Sequence, residues 1–131
     1  MTPIRSYKDL DCWKNAIELA ALVDPFSEKF MLMRRFRLAD QLASAALSVS
    51  SNIAEGNGRV HRAEYAHHVS MSRASLYEVE SILCVAIRTR RLHQHECAPV
   101  FALIEVISRQ LTNLLRSLYR PRARTGPQYR P

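Results

Sequence analysis

The side chains best equipped for chemistry in this chain are its arginines, and they come in groups. Arg34, Arg35 and Arg37 stand together, Arg59 and Arg62 follow a Gly-Asn-Gly sequence, and Arg88, Arg90 and Arg91 form a third group, with Arg73 alone between them. Arg116, Arg120, Arg122 and Arg124 crowd the C-terminal end. Only Lys8, Lys14 and Lys29 are lysines. A guanidinium is planar, permanently charged and able to donate to two phosphate oxygens at once, so this preference suits phosphate recognition. Cations also suit helix C-termini, which gives Arg88, Arg90 and Arg91 a structural reason as well.

The other chemistries are poorly supported. Glu64-x-x-His67 has the spacing that di-iron four-helix bundles use, but such a centre needs the motif twice, and it occurs once. His93, His95, Glu96 and Cys97 resemble metal ligands without a second cluster at a sensible spacing, so a solvated connector is the better account. His67 and His68 read as surface or interface residues. Glu78 and Glu80, two residues apart on a helix, diverge by about 200° and cannot serve one site as an acid/base pair. Gly-Asn-Gly is too short for a phosphate loop and lacks its Lys-Ser/Thr pair. No Ser or Cys lies in a nucleophile signature. The expectation is a protein with no catalytic residue, no metal and no cofactor. For Asn52 and Glu55, on roughly one helix face, the structural reading is that they satisfy backbone groups near the glycine turn. One of Glu78 and Glu80 would then bond Trp13, Tyr7 or an arginine.

Helices must position these residues. Val100, Ile104, Ile107, Leu111, Leu114 and Leu118 recur at spacings of four and three, a continuous apolar stripe widened by Phe101, Leu103 and Leu115. Tyr65, Val69, Leu76, Val79, Leu83 and Ala86 trace another, interrupted by Ser72 and flanked by Met71, Ile82 and Val85. Leu38, Leu42, Ala45, Val49 and Ile53 give a further helix, and Leu10, Trp13, Ile17 and Ala20 the first. Asp24-Pro25 reads as a kink or as the cap of a new helical piece. Gly56 and Gly58 suit a helix C-terminus, and His61 with Glu64 has capping-box spacing. Residues 88–95 read as a polar connector, and Pro99 falls early in the last helix, where proline is tolerated. Four helices with short connections predict an all-α, antiparallel up-down-up-down four-helix bundle over residues 1–119. Residues 120–131, with three prolines and four arginines, read as a basic disordered tail.

Composition sets the remaining bounds. The 131 residues make one domain, with a formal charge of +7 and a 47% hydrophobic share that excludes a disordered or fibrous chain. The tail carries four of the arginines and no acid, so the bundle itself is nearly balanced. Few turn residues argue against a many-stranded β protein. No apolar run is long enough to span a membrane, and the first residues lack a secretory core, which predicts a cytoplasmic protein. Cys12, Cys84 and Cys97 form neither a disulfide framework nor a zinc knuckle, and Cys84 reads as a small core residue.

Two stretches, SYKDLDCWKNAIELA at residues 6–20 and RLADQLASAALSVSSNIAEGNGR at residues 37–59, together with SLYEVESIL at residues 75–83, resemble the four-helix-bundle family encoded by intervening sequences of bacterial 23S rRNA genes. The resemblance spans roughly residues 6–119 and makes Trp13, Asn52, Glu55, Gly56, Glu78 and Glu80 structural motif positions. It implies a cone- or barrel-shaped homopentamer without enzymatic activity. The wider superfamily includes the accessory protein of diversity-generating retroelements, a basic pentamer that binds nucleic acid and a reverse transcriptase. This chain departs from the pattern at Ala43-Ser44, where relatives often carry basic residues, at Ser50 in place of Pro, at His61 in place of a hydroxyl cap, at Pro25, and in the basic tail.

The functional expectation is a non-enzymatic module that binds nucleic acid through its phosphate backbone, with base stacking beside the arginines not indicated. RNA is favoured by the family's rRNA setting. Arg34–Arg37 and Arg88–Arg91 should share one end of the bundle, and Arg59 and Arg62 the other, near Arg116 and the tail. A ring of five would multiply weak contacts into a salt-sensitive affinity. A protein–protein adaptor, for instance for a reverse transcriptase, and a metal-dependent enzyme using Glu64 and His67 are the alternatives.

Overall fold

The computed structural model describes residues 3–120. A short 3-10 turn, Tyr7–Asp9, leads into α1 (Asp11–Leu32), followed by α2 (Phe36–Asn57), α3 (Arg62–Arg88) and α4 (Gln94–Tyr119). The helices run up-down-up-down around one core, as the apolar periodicity predicts. Among the described residues, no helix is long and apolar enough to cross a membrane.

The entry turn has a local cause. The Asp9 carboxylate accepts from the backbone N–H groups of Arg5 at 2.8 Å and Ser6 at 3.2 Å, while the Ser6 hydroxyl accepts from Lys8 N–H at 3.2 Å. These bonds hold the Asp9 carboxyl below its usual range. Tyr7 then meets Trp13 edge-on, ring centroids 5.2 Å apart, which fixes the start of α1.

Three of the four stripes lie where the sequence puts them. Leu42, Ala45, Val49 and Ile53 of α2, Val69, Leu76, Val79, Leu83 and Ala86 of α3, and Val100, Ile104, Ile107 and Leu111 of α4 are all buried. The first stripe is rotated. The residues of α1 that enter the core are Cys12, Ala16, Leu19, Val23 and Phe30, while Leu10, Trp13 and Ala20 flank them and Ile17 is exposed. Burial pushes the Cys12 thiol up to about 11 and raises that of Cys97, so both are inert core groups.

Cys84, by contrast, is exposed. Its neighbours Leu83 and Ala86 define the inward face of α3, and position 84, one residue on from Leu83, turns outward. Pro25 does not begin a new piece either. It lies inside the continuous α1, where Ala21, four residues earlier, is exposed and its carbonyl can turn to water. His61 is the N-cap of α3, but its side chain makes no capping hydrogen bond. Glu96 does serve this way at α4, accepting from His93 N–H at 2.8 Å.

Candidate nucleic-acid interface

The two helices that rise to the same end, α1 and α3, stop in the same way. Arg34 N–H donates to the Met31 carbonyl at 3.0 Å and Arg35 N–H to the Phe30 carbonyl at 2.8 Å. Arg90 N–H donates to Ile87 at 3.0 Å and Arg91 N–H to Ala86 at 2.8 Å. Both are Schellman turns, whose left-handed position is usually glycine. Here Arg34 (φ 61°) and Arg90 (φ 62°) occupy it, each followed by a second arginine. A side chain with a Cβ in that conformation costs roughly 1–2 kcal/mol. The attraction of a cation to a helix C-terminus, roughly 0.3–1 kcal/mol at an exposed site, offsets only part of this.

The turns enclose an open cleft of about 320 Å³, lined by Arg34, Arg35, Phe36, Arg37, Leu38 and Arg91. This brings the first and third arginine groups together, as the antiparallel connectivity predicts. Arg88 and Arg90 are exposed on the same α3 turn. Among the described residues, no hydrogen bond or ion pair engages the side chains of Arg34, Arg35, Arg37 or Arg91. Glu96, at the start of α4, does not neutralise them. One of its oxygens accepts from His93 N–H and the other from Lys29 Nζ at 3.3 Å, and these contacts hold its carboxyl below the usual range.

Phe36 corrects the expectation that no aromatic group accompanies the arginines. It is the first residue of α2, placed between Arg35 and Arg37, and 50% of its surface is exposed. The inward turn of α2 begins only with Leu38 and Ala39, so Phe36 stays at the rim of the cleft.

At the opposite end one arginine, Arg62, is engaged internally. Arg62 donates to the carbonyls of Ser117 at 2.6 Å and Leu118 at 3.3 Å, satisfying two acceptors at the end of α4. This places Arg62 beside Arg116, as expected, but with its guanidinium occupied. Arg59 lines a second open cleft with Ala63, Glu64, His67 and His68. Arg116 and Arg120 are exposed. Arg122, Arg124 and the rest of the expected tail beyond Arg120 lie outside the described residues. Arg73 sits over the Tyr77 ring at 5.4 Å and donates to its hydroxyl at 3.1 Å, away from both ends.

The motif positions resolve into a polar seam between α2 and α3. Asn52 donates to the Ser48 carbonyl at 3.0 Å and its hydroxyl at 2.9 Å, and its own carbonyl lies 3.1 Å from His68 Nδ1. Ser75 donates to Ser48 at 2.8 Å, and buried Ser72 to the Val49 carbonyl at 2.7 Å. Glu55 approaches His68 at 3.7 Å. Asn52 and Glu55 therefore address α3 rather than the glycine turn. His68, read from sequence as a surface or interface residue, is buried within the bundle against Asn52. Gly58 caps α2 with an ordinary helical φ of −81°. Gly56 has a different task, because a Cβ there would stand 2.7 Å from His68 Cβ and 3.2 Å from the Tyr65 carbonyl. Its missing side chain lets the two helices meet.

Trp13 is half-buried against Tyr7, with no carboxylate bonded to it. Among the described residues neither Glu78, which is exposed, nor Glu80, which is half-buried, bonds Trp13, Tyr7 or an arginine. Nor is there among them a group of three or more His, Cys, Asp or Glu side chains able to hold a metal ion.

The fold and this end define a four-helix bundle with an arginine-lined cleft at the turns between its helices. The chain belongs to the 23S rRNA-intervening sequence protein family, whose model matches residues 8–113. No curated protein matches it. Its fold is similar to that of a crystal structure of a protein of unknown function from the S23 ribosomal protein family of Bacteroides thetaiotaomicron. The TM-score is 0.75 at 17% identity, covering 80% of this chain and 98% of that one.

Proposed function

We propose that this protein binds nucleic acid without catalysis, gripping the phosphate backbone at the end where α1 and α3 terminate. The observation that carries the reading is the pair of Schellman turns in which arginine stands where glycine would fold more cheaply. Backbone strain occurs at matching positions of two turns, one reaching the cleft through Arg34 and Arg35 and the other through Arg91, next to the strained Arg90, and strain of this kind clusters at functional sites. RNA is the favoured ligand, because the family is named for a sequence within an rRNA gene. We include in the proposal the homopentamer that the family resemblance implies. The exposed Ile17, Leu47, Val85 and Val106 offer apolar surface for it, and five clefts would act together through effective concentration.

The test is a salt titration of RNA and DNA binding by the full chain, by a chain ending at Tyr119, and by Arg34→Ala/Arg35→Ala/Arg91→Ala. Affinity should fall linearly in log–log form with salt, and each phosphate contact removed should flatten the slope by roughly 0.7–0.9. The triple variant should therefore flatten it by about two to three units per cleft engaged. Absence of binding at low salt overturns the reading. Binding that survives the triple variant but disappears with the last 12 residues moves the site to residues 120–131. A monomeric mass at micromolar concentration overturns the pentamer.

A further inference from the structure

The cleft at the arginine end contains more than phosphate-binding groups, and Phe36 is its unexplained member. A half-exposed phenyl ring at the first position of a helix gains nothing from the core. It lies among arginines from two turns, in a cleft of about 320 Å³, at the small end of ligand-sized sites (roughly 300–1,000 Å³). Aromatic rings beside a guanidinium-lined backbone track are how proteins hold unpaired bases, because every base offers a π face and no particular sequence is needed. A paired base inside a duplex already stacks on both sides and cannot reach such a ring.

We infer that the Phe36 ring, set between Arg35 and Arg37 in the cleft that Arg91 also lines, stacks on one unpaired base of a single-stranded nucleic acid whose flanking phosphates the arginines hold. This rests on the proposed nucleic-acid reading and adds to it a preference for single strands over duplex. RNA and DNA share the base and phosphate chemistry, so the preference holds for both sugars.

The experiment measures binding of the full chain to three probes at fixed low salt, each made in RNA and in DNA. They are a short single strand, the same sequence annealed to its full complement as a blunt duplex, and the single strand with its bases removed. The single strand should bind tightest. Phe36→Ala should weaken it about tenfold, as expected for one lost stacking contact, and leave the other two probes unchanged. Phe36→Trp should restore the preference. Because the ring does not pack into the core, both variants should remain folded, which a denaturant melt checks. Equal binding of all three probes, or a Phe36→Ala variant that still prefers the single strand, overturns the inference while the backbone reading stands. No binding to any probe overturns both.

Discussion

The two ends of this bundle are both rich in arginine, yet they treat it differently. Where α3 and α4 meet at the far end, Arg62 satisfies the carbonyls of Ser117 and Leu118, and Asn52 and His68 bond across the α2–α3 seam, which continues to Ser48 and Ser75 at mid-bundle. At the turn end, Arg34, Arg35, Arg37 and Arg91 make no such bonds among the described residues, while Arg34 and Arg90 sit in a conformation that disfavours a side chain. The far end engages Arg62 and leaves Arg59, Arg116 and Arg120 exposed, whereas the turn end holds two arginines in a strained conformation beside an arginine-lined cleft. Residue counts, equal in kind at both ends, hide this difference, and geometry reveals it.

The comparison can be broken most forcefully at the far end. Gly56→Ala should destabilise the bundle by about 1–3 kcal/mol through overpacking, and Gly56→Val by more, because the new Cβ meets His68 Cβ and Tyr65 backbone that cannot swing aside. Denaturant midpoints check this, and the folded fraction should bind nucleic acid as the wild type does. Arg62→Ala should cost about 1 kcal/mol by leaving two α4 carbonyls without their donor. Its signature is faster amide exchange in the last turn of α4, with the salt slope of binding unaltered.

At the turn end the sign should reverse. Arg34→Gly and Arg90→Gly should each raise stability by roughly 0.5–1 kcal/mol as the left-handed strain is relieved. Both should weaken nucleic-acid binding, so a calorimetric melt and a binding isotherm on the same samples would move in opposite directions. If either variant instead lowers stability, the contrast between the ends fails. The smallest effect concerns Glu96, whose carboxyl is held below its usual range by the His93 N–H and by Lys29. A carboxylate depressed in the folded state adds stability above its unfolded pKa and loses it as pH falls through the folded value. The link between α1 and α4 should thus weaken only under acid conditions, and Glu96→Gln should remove that acid-side loss from the pH profile of the melting temperature.

Much of the fold is legible in sequence because large aliphatic residues mark the inward faces of α2, α3 and α4 without ambiguity. The first helix misleads for a physical reason. Its bulky Trp13 and Ile17 suggest one face, but the core face runs through Cys12, Ala16, Leu19, Val23 and Phe30, where the small Cys12 and Ala16 carry little of the apolar signal that a sequence pattern reads. Cys84 misleads in the same way, since an apolar run conceals which of its members turn outward. The clustering of Arg34–Arg37 with Arg91 follows from antiparallel connectivity alone. The left-handed arginines do not, because sequence rules expect glycine there; Phe36 stands between Arg35 and Arg37 in the sequence, but its half-exposed place at the cleft is seen only in the structure. The seam joining Ser48, Asn52, His68 and Ser75 needs both helices in register before its spacing means anything.

The contact at Gly56 also constrains how the protein can change over time. Any single-base substitution in a glycine codon that still encodes another amino acid adds a Cβ, and at this position every Cβ collides with α3. No gradual route leads away from glycine there unless the partner helix first gives up His68 or shifts. The turn arginines face the opposite situation, since replacement by glycine relieves more strain than the lost charge at the helix C-terminus costs, and the proposed binding is what opposes it. A deep mutational scan scored for folding and separately for ligand capture should therefore show position 56 closed in both screens. Positions 34 and 90 should be open to glycine in the first and closed in the second.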